Sequence, residues 1–484
     1  MPPSPLEKAW RQFALCAIVF LAITLPWAAG SDLWFDETMT LCLYVFPSKG
    51  LWQILRNYSE ANNHFLNSAI TWLWMNEPNF NHLEIMLRLP CLLAGLGTLA
   101  TIIWGWRDVL GRQRALLCGV IMAASPIFCP FAYQMRGYIY GMLLAALATA
   151  AALRLAYLNE RSAPWQSVAF FSCLLLPFAA PTCAMAVMPG TLLIFTETFR
   201  RTRKWQAAIL RAAPSFVGGV LGVSYYFTLW DAFRHASKSA GGWTSSWLVA
   251  AHLLLAFAIH GLAIILPAIY TWRRKRQFTL ARGLLLVFHA VAVIAVLLSA
   301  CMFTSSHAPF PRIFTVLLPG FTASLAIFFT DASIPLPWNR LKLAIALSLL
   351  WGVAVIHCSN LLTANQISHG KAPQNLLQQY YRGDSSNSEA IAALTKSPER
   401  VHDTIIVPAI DEFTFSFYWL FMAQLVFPDT KVIAVNRLPA NYALPRRTLV
   451  SARNPEEAET MLKAPAKLLI NCSTRQIYEA MQNP

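Results

Sequence analysis

Charged side chains are scarce in this sequence. Only 13% of its 484 residues are Asp, Glu, Lys or Arg, whereas 56% are hydrophobic. Soluble domains average about 25% charged residues. The scarcity of charge excludes an ordinary soluble protein and predicts a polytopic α-helical membrane protein.

Motifs for a zinc site or a disulfide framework are also missing. The chain has ten cysteines, but nearly all lie in or beside apolar segments, and none forms a CxxC pair or a His/Cys cluster. The tail from residue 362 contains only Cys472. We therefore expect the cysteines to act as small apolar core residues.

The net charge of +15 does not indicate a nucleic-acid partner. From residue 362 onward there are 12 basic and 11 acidic side chains, so almost all of the net charge belongs to the apolar part of the chain. Basic residues there are expected to anchor helix ends at anionic lipid headgroups.

Long apolar segments predict about eleven transmembrane helices, because about 20 apolar residues cross a bilayer core roughly 30 Å thick. We expect the first to be a retained helix rather than a cleaved signal peptide. The pair between Ser167 and Phe199 is interrupted by prolines and fits two bent helices or one hairpin. The predicted spans start near Phe13, Arg88, Ala115, Tyr138, Ser167, Cys183, Ile209, Leu248, Gly283, Ile313 and Leu343.

Basic residues are distributed unevenly between alternate loops. With the N-terminus in the cytoplasm, the inner segments hold 19 Lys and Arg residues and the outer loops hold seven. The excess predicts a multi-pass plasma (bacterial inner) membrane protein with a cytoplasmic N-terminus. An odd number of spans places the C-terminal domain in the periplasm or outside the cell.

Three parts are predicted along the chain. Residues 1–361 form a membrane body, in which residues 30–87 are a long first outer loop, and residues 362–484 form an outer α/β domain. The loop segment "GLWQILRNYSEANNHFLNSAITWLW" predicts two short helices in the membrane interface. In the tail, "DTIIVPAI", "KVIAVN", "RTLVSA" and "KLLIN" predict strands of a mostly parallel sheet. Asn454 and Pro455 predict a helix start, and "FTFSFYWLFMAQLVF" predicts an apolar helix.

Two adjacent carboxylates, Asp36 and Glu37, follow the first span in "DLWFDETMT". At that depth a carboxylate is partly desolvated, and desolvation with like-charge proximity suits a general base. Their alternative role is to end the helix in water.

Other polar residues fall on the same predicted outer face: His64, Glu84, Arg88, Arg136, Tyr138, His307 and Arg312. A guanidinium can hold the phosphate that leaves a lipid-linked sugar, while a carboxylate takes the proton of the incoming hydroxyl. Direct displacement of this kind inverts the anomeric centre. Arg88 and Arg312 equally fit snorkelling anchors, and Tyr138 fits an aromatic belt.

Several segments together resemble a known family. They are the acidic pair, "NNHFLN", "RLPCLLAG", "SPIFCPFAYQMRGYIYGMLLAALA" and "RIFTVLLPG". They are similar to the C superfamily of membrane glycosyltransferases, especially the bacterial relatives of protein O-mannosyltransferases and the lipid A aminoarabinose transferase. The resemblance implies a polyprenyl-phosphate sugar donor, an active site on the outer face and inversion.

The resemblance also implies roles for individual residues. Asp36 would be the base, Glu37 the second acidic member and His64 part of the site wall in the first loop. Glu84 and Arg88 would border the sugar pocket. Arg136 and Arg312 would face the donor phosphate.

The sequence leaves other functions open. A lipid or polysaccharide transporter or flippase would favour polar or charged residues at mid-membrane and two related halves. Here the centres of the predicted spans are nearly uncharged, and the two halves do not match. A non-catalytic scaffold that presents the outer domain is a third possibility. For the enzyme, the acceptor is a lipid, glycan or protein, and the transferred sugar is a hexose or pentose. No cofactor is expected to be obligatory, although a divalent cation bound by Asp36 and Glu37 stays open.

Overall fold

The computed structural model describes residues 4–33, 35–57, 63–75, 83–158, 163–232, 280–303, 311–329, 338–350, 352, 390–391, 393–394, 404–407, 430–434, 448–452, 454–471 and 476–481. The chain divides into two compact units. The first comprises Met1–Leu25, Gly50–Ile70 and Leu89–Ile356. The second comprises Pro26–Lys49, Thr71–Arg88 and His357–Pro484.

Helices make up nearly all of the described part before residue 353. Their bounds are α1 Pro5–Gly30, α2 Phe35–Thr40, α3 Leu51–Arg56, α4 Phe65–Trp74, α5 Leu83–Ala100, α6 Arg107–Leu110, α7 Arg112–Ala123, α8 Phe128–Tyr133, α9 Gly137–Leu153, α10 Ala163–Ala179, α11 Val187–Thr202, α12 Trp205–Ser224, α13 Leu280–Phe303, α14 Leu318–Phe329 and α15, residues 338–350. Three of them, α2, α5 and α9, continue into a π-helical turn at Leu41–Val45, Thr101–Gly105 and Arg154–Leu158.

Within the described residues, five helical segments are long and apolar enough to cross a membrane: Leu6–Gly30, Glu84–Gly105, Gly137–Leu158, Pro181–Thr202 and Trp205–Ala232. Shorter apolar helices cover Ala163–Ala179, Gly283–Ala295 and Ile313–Phe328. The predicted helical membrane protein is thus confirmed in outline, and eleven spans stay a prediction. The span expected near Leu248 and the segment "FTFSFYWLFMAQLVF" lie outside the described residues.

The span predicted near Ala115 is two helices instead of one. Helix α7 ends at Ala123, and α8 begins at Phe128. Between them the Ser125 hydroxyl accepts hydrogen bonds from the backbone N–H groups of Ile127 (3.3 Å) and Phe128 (3.1 Å). A serine in this position caps a new helix, and the adjacent Pro126 cannot continue the old one.

Close backbone contact joins α10 to α12 in the first unit. A Cβ atom at Gly218 would overlap the carbonyl oxygen of Phe170, and one at Gly222 would overlap that of Leu174. Because these positions lack side chains, the two helices approach more closely than larger residues would permit. The proline-interrupted region between Ser167 and Phe199 is two helices, α10 and α11, joined by a 3₁₀ segment at Pro181–Ala186.

The two helices predicted for the first outer loop are present as α3 and α4. Their location in the membrane interface stays a prediction. Aromatic side chains surround Phe65 at the start of α4, namely Phe178, Tyr225 and Tyr226. The Tyr225 hydroxyl donates to the carbonyl oxygen of Leu55 at 2.8 Å, so α3 also is fixed within the first unit.

The C-terminal part of the second unit contains a five-stranded sheet. Its strands are β1 Thr404–Val407, β2 Lys431–Ala434, β3 Thr448–Ala452, β4 Ala466–Asn471 and β5 Gln476–Ala480, with helix α16 at Pro455–Leu462. As predicted, Asn454 caps α16, accepting from Glu457 N–H at 2.8 Å, and Pro455 takes the first helical position. Met461 and Leu462 of α16 pack on Val450 and Tyr478 in the sheet core.

The prediction of a mostly parallel sheet is wrong, because two of the four strand pairs are antiparallel. The strand order is β2-β1-β3-β5-β4; β1 pairs in parallel with β2 and β3, but β5 pairs antiparallel with both β3 and β4. Only residues 472–475 separate β4 from β5. A connection that short cannot make the crossover that parallel neighbours require.

Candidate functional site

The acidic pair lies at the start of α2, which four residues separate from the end of α1. Asp36 and Glu37 both fall in the first helical turn, where the aligned backbone N–H groups favour negative charge. Glu37 is fully buried, whereas Asp36 is partly exposed. The Thr40 hydroxyl donates to the carbonyl oxygen of Asp36 at 2.8 Å. The two carboxylates therefore occupy different environments in spite of being neighbours.

Arg88 of α5 binds Glu37 through a bidentate ion pair. Its Nε donates to Glu37 Oε1 at 3.1 Å, and its Nη2 donates to Glu37 Oε2 at 2.9 Å. Both side chains are buried, with 2% and 0% of their surface exposed. Two parallel hydrogen bonds fix a carboxylate in orientation as well as in position.

The remaining donors of Arg88 hold the backbone between α1 and α2. Nη1 donates to the carbonyl oxygens of Ser31 (2.7 Å) and Ala28 (3.1 Å) and to the Ser31 hydroxyl (3.0 Å). Nη2 also donates to the carbonyl oxygen of Asp32 at 2.7 Å. The guanidinium thus caps the C-terminal end of α1 and links it to the acidic turn, the first turn of α2 with Asp36 and Glu37. All three nitrogens of the guanidinium donate hydrogen bonds.

This arrangement separates the roles available to the two carboxylates. Both oxygens of Glu37 accept hydrogen bonds from Arg88, so the side chain of Glu37 is fixed in position. The partly exposed Asp36 is the member that can meet a substrate. Burial raises the pKa of the nearby Cys42 thiol to about 12, so this thiol is not a ready nucleophile. Glu84, one turn before Arg88, is also partly exposed.

A second arrangement surrounds Arg136 in the first unit. Helix α8 ends at Tyr133, and α9 begins at Gly137, so Arg136 lies in the turn between them. Its side chain is 2% exposed, and its Cζ atom lies 5.2 Å from the centre of the Tyr138 ring. The Tyr138 ring is 5.0 Å from the ring centres of both His64 and Phe131. Tyr138 is thus a packed neighbour of the arginine.

The residues before and at the start of α4 contact this turn. His64 Nδ1 is 2.8 Å from the carbonyl oxygen of Ala179, the last residue of α10. Asn67 Nδ2 donates to the carbonyl oxygen of Met135 at 3.2 Å. Asn67 belongs to the segment "NNHFLN", so the sequence indicated this residue as a candidate. Its partner Met135 and the close contact between Gly137 and Ala179 were not predicted.

The predicted site residues are distributed over both units. Asp36, Glu37, Glu84 and Arg88 belong to the second unit, and His64, Arg136 and Tyr138 belong to the first. Arg312 lies in a short 3₁₀ helix, Pro311–Leu317. His307 lies outside the described residues. The functional roles predicted for all of these residues stay predictions.

Among the residues that the structure describes, no group of three or more His, Cys, Asp or Glu side chains is arranged to hold a metal ion. At the acidic turn, the two Glu37 oxygens that a cation would need already accept hydrogen bonds from Arg88. A divalent ion bound by Glu37 would share these oxygens with the Arg88 guanidinium.

No protein-family model matches the sequence, and no curated protein matches it. Solved structures do match. ArnT from Cupriavidus metallidurans in the apo state has 14% sequence identity and a TM-score of 0.54, and the match covers 98% of each chain. The same protein bound to undecaprenyl phosphate has 13% identity, a TM-score of 0.54 and the same coverage.

A weaker match is the archaeal oligosaccharyltransferase AglB from Archaeoglobus fulgidus, in complex with an inhibitory peptide and a dolichol-phosphate. It has 10% identity and a TM-score of 0.40 over 89% of this chain and 65% of that one, which is too low to establish a shared fold. The similarity to ArnT covers 98% of this chain and shows that the two proteins share a fold.

Proposed function

We propose that this protein is an inverting glycosyltransferase. It moves a sugar from a polyprenyl-phosphate donor to an acceptor hydroxyl on the outer face of the bacterial inner membrane. The observation that carries the proposal is the acidic turn, in which Arg88 immobilises Glu37 and leaves Asp36 partly exposed. The fold shared with ArnT over 98% of the chain supports it.

The donor class is inferred from the same comparison. One ArnT structure contains undecaprenyl phosphate, and a polyprenyl phosphate has the long apolar tail and anionic head that a membrane enzyme can bind at the bilayer surface. Because fold alone does not establish function, the chemistry of this chain must come from its own residues.

In the proposed reaction the acceptor oxygen attacks the anomeric carbon of the donor sugar. Asp36 accepts the proton of that hydroxyl as general base. The bond from the anomeric carbon to the phosphate oxygen breaks, and polyprenyl phosphate leaves with the electron pair. Arg136, with Arg312 as a second guanidinium, stabilises the negative charge that develops on the phosphate. One displacement of this kind inverts the anomeric configuration.

The other predicted residues complete the proposal. Glu84 lies in the first turn of α5 and is assigned to the sugar pocket, and His307 is assigned to substrate binding. Arg88 acts by holding Glu37 and the backbone of the acidic turn, so that Asp36 keeps one orientation. No obligatory metal is included, because the carboxylate base and the guanidinium groups supply the charges that the displacement needs.

The experiment is a comparison of envelope lipids and glycans by mass spectrometry. Cells that lack the gene are complemented with the wild-type protein, with Asp36→Asn or with Asp108→Asn. Asp108 is a matched control, because its carboxylate is 51% exposed and pairs with Arg154. We expect Asp36→Asn to reduce transfer about 10²- to 10⁴-fold and Asp108→Asn to leave it unchanged.

Loss of the gene should remove one sugar from an envelope molecule and cause the polyprenyl-phosphate sugar to accumulate. If neither change occurs, the protein is not this transferase. If Asp36→Asn complements as well as the wild-type protein does, a transporter or a scaffold is the better description.

A further inference from the structure

We infer that His64 and Asn67 are positioning residues that hold the turn carrying Arg136, and that His64 acts through Nδ1 instead of touching a sugar. The two contacts, of His64 with Ala179 and of Asn67 with Met135, together form what we call the brace. Its effect on catalysis rests on the proposed function. The brace itself rests on contacts within the first unit.

The hydrogen bond from His64 fixes the tautomer of its ring. The partner of Nδ1 is a carbonyl oxygen, 2.8 Å away, and a carbonyl oxygen only accepts hydrogen bonds. Nδ1 therefore carries the proton. The side chain is 5% exposed, so this bond is shielded from competing water.

The acceptor, the carbonyl oxygen of Ala179, lies at the end of α10 and lacks the backbone N–H donor that it would have inside a helix. Helix α10 ends at Ala179, because Ala180 is extended (φ −162°, ψ 146°) and Pro181 follows. The N–H of Cys183, which would serve Ala179 in a continuous helix, donates to Ala180 instead at 2.8 Å. Since the last carbonyl groups of a helix have no partner within it, the imidazole supplies the donor that α10 lacks.

Gly137, which begins α9 directly after Arg136, lies against the hydrogen bond between His64 and Ala179. A Cβ atom at Gly137 would overlap the carbonyl oxygen of Ala179 and lie 2.5 Å from His64 Nδ1. The backbone of residue 137 is therefore packed directly against the hydrogen bond. Because Gly137 follows Arg136 in the chain, the position of the arginine backbone is fixed from its C-terminal side.

Asn67 holds the other side of the same turn. Its amide donates to the carbonyl oxygen of Met135, the residue before Arg136, at 3.2 Å, and its side chain is fully buried. His64 immediately precedes α4 and Asn67 lies three residues later, so both side chains leave the same face of the chain. The two contacts thus flank Arg136, and Tyr138 packs against both the arginine and the imidazole.

Two substitutions distinguish positioning from substrate contact at His64. The amide nitrogen of asparagine reaches the place of Nδ1, whereas that of the longer glutamine reaches the place of Nε2. His64→Asn therefore retains the bond to Ala179, and His64→Gln loses it. If the imidazole instead binds substrate through Nε2, the order of the two variants is reversed.

The first measurement is hydrogen–deuterium exchange of residues 134–140 in the full-length protein in lipid nanodiscs. We expect His64→Gln and Asn67→Ala to raise the exchange rate there roughly 2- to 10-fold and His64→Asn to match the wild-type protein. His289→Gln is the control, because it removes another buried imidazole whose Nδ1 contacts Leu285 and Ser324. It should leave residues 134–140 unchanged.

Equal exchange in His64→Asn and His64→Gln would overturn the role of Nδ1. If His64→Gln yields no folded protein, Asn67→Ala decides, since wild-type exchange in that variant would mean that α4 does not hold the turn.

The second measurement is sugar transfer by the same variants. We expect His64→Gln to lower kcat/KM for the donor about 10- to 100-fold, as small displacements of a catalytic group do, and His64→Asn to restore most of it. Full activity in His64→Gln with loss in His64→Asn would refute positioning in favour of substrate contact. A wild-type protein that transfers no sugar refutes the proposed function, while the exchange data still test the brace.

Discussion

Removal of the Arg88 guanidinium is the sharpest test of how the acidic turn is held. In Arg88→Met the fully buried Glu37 loses both of its hydrogen bonds from the guanidinium, and the carbonyl oxygens of Ala28, Ser31 and Asp32 lose donors at 2.7–3.1 Å. Methionine fills much of the volume but offers no donor.

The expected loss follows from the uncompensated charge. Breaking a buried ion pair by removal of one partner costs about 3–5 kcal/mol. We therefore expect Arg88→Met to lower the free energy of unfolding by about 3–5 kcal/mol. Asp108→Asn breaks a pair whose carboxylate is 51% exposed and should lower it by less than about 1 kcal/mol.

The double variant Arg88→Met/Glu37→Met separates the ion pair from the backbone contacts. Removal of both charges avoids the buried lone carboxylate, so the double variant should be more stable than the sum of the two single losses by about 2 kcal/mol. The backbone carbonyl groups still lack their donors, so stability should not return fully to the wild-type value.

The assay is equilibrium unfolding of the purified protein in mixed micelles of SDS and a mild detergent. Sugar transfer by Arg88→Met at a temperature where it remains folded should also fall, because Asp36 loses its fixed support. A stability change below about 1 kcal/mol for Arg88→Met, equal to that of Asp108→Asn, would refute the reasoning from a buried pair.

Two further changes test other parts of the fold. Gly137→Ala places a Cβ atom against the carbonyl oxygen of Ala179 and should destabilise the protein by about 1–3 kcal/mol in the same unfolding assay. The control Gly50→Ala, whose Cβ atom meets nothing within 4 Å, should have little effect. Equal losses of stability in the two variants would contradict the close contact at Gly137. Asn454→Ala removes the cap that accepts from Glu457 and should lower the stability of α16 by about 1 kcal/mol, seen as faster hydrogen exchange in residues 455–462, and Asn454→Asp should retain it.

Local sequence patterns predicted the elements that depend on near neighbours. Apolar runs predicted the long helices, and Asn454 with Pro455 predicted the start of α16. A tight turn such as that between α7 and α8 needed the geometry of the Ser125 hydroxyl, because "SPIF" also fits the middle of an apolar span. The π-helical turns of α2, α5 and α9 leave no comparable pattern in the sequence.

The C-terminal sheet shows where local patterns stop being sufficient. The strands β1 to β4 were visible as apolar runs, but β5 was not, and the direction of each pair depends on which strands become neighbours. That choice is set by packing between distant segments, such as Val450 against Tyr478, and no short window of sequence contains it.

The candidate site divides in the same way. The sequence by itself determined that carboxylates and arginines lie at the ends of apolar helices. Because a charged side chain inside the bilayer costs free energy, charged residues are rare within apolar segments and are easily recognised at their ends. Only the tertiary structure decided their partners. Arg88 and Glu37 are 51 residues apart, and His64 and Ala179 are 115 apart. A hydrogen bond requires atoms to meet within about 3 Å, and over such separations only the packed helices bring them together.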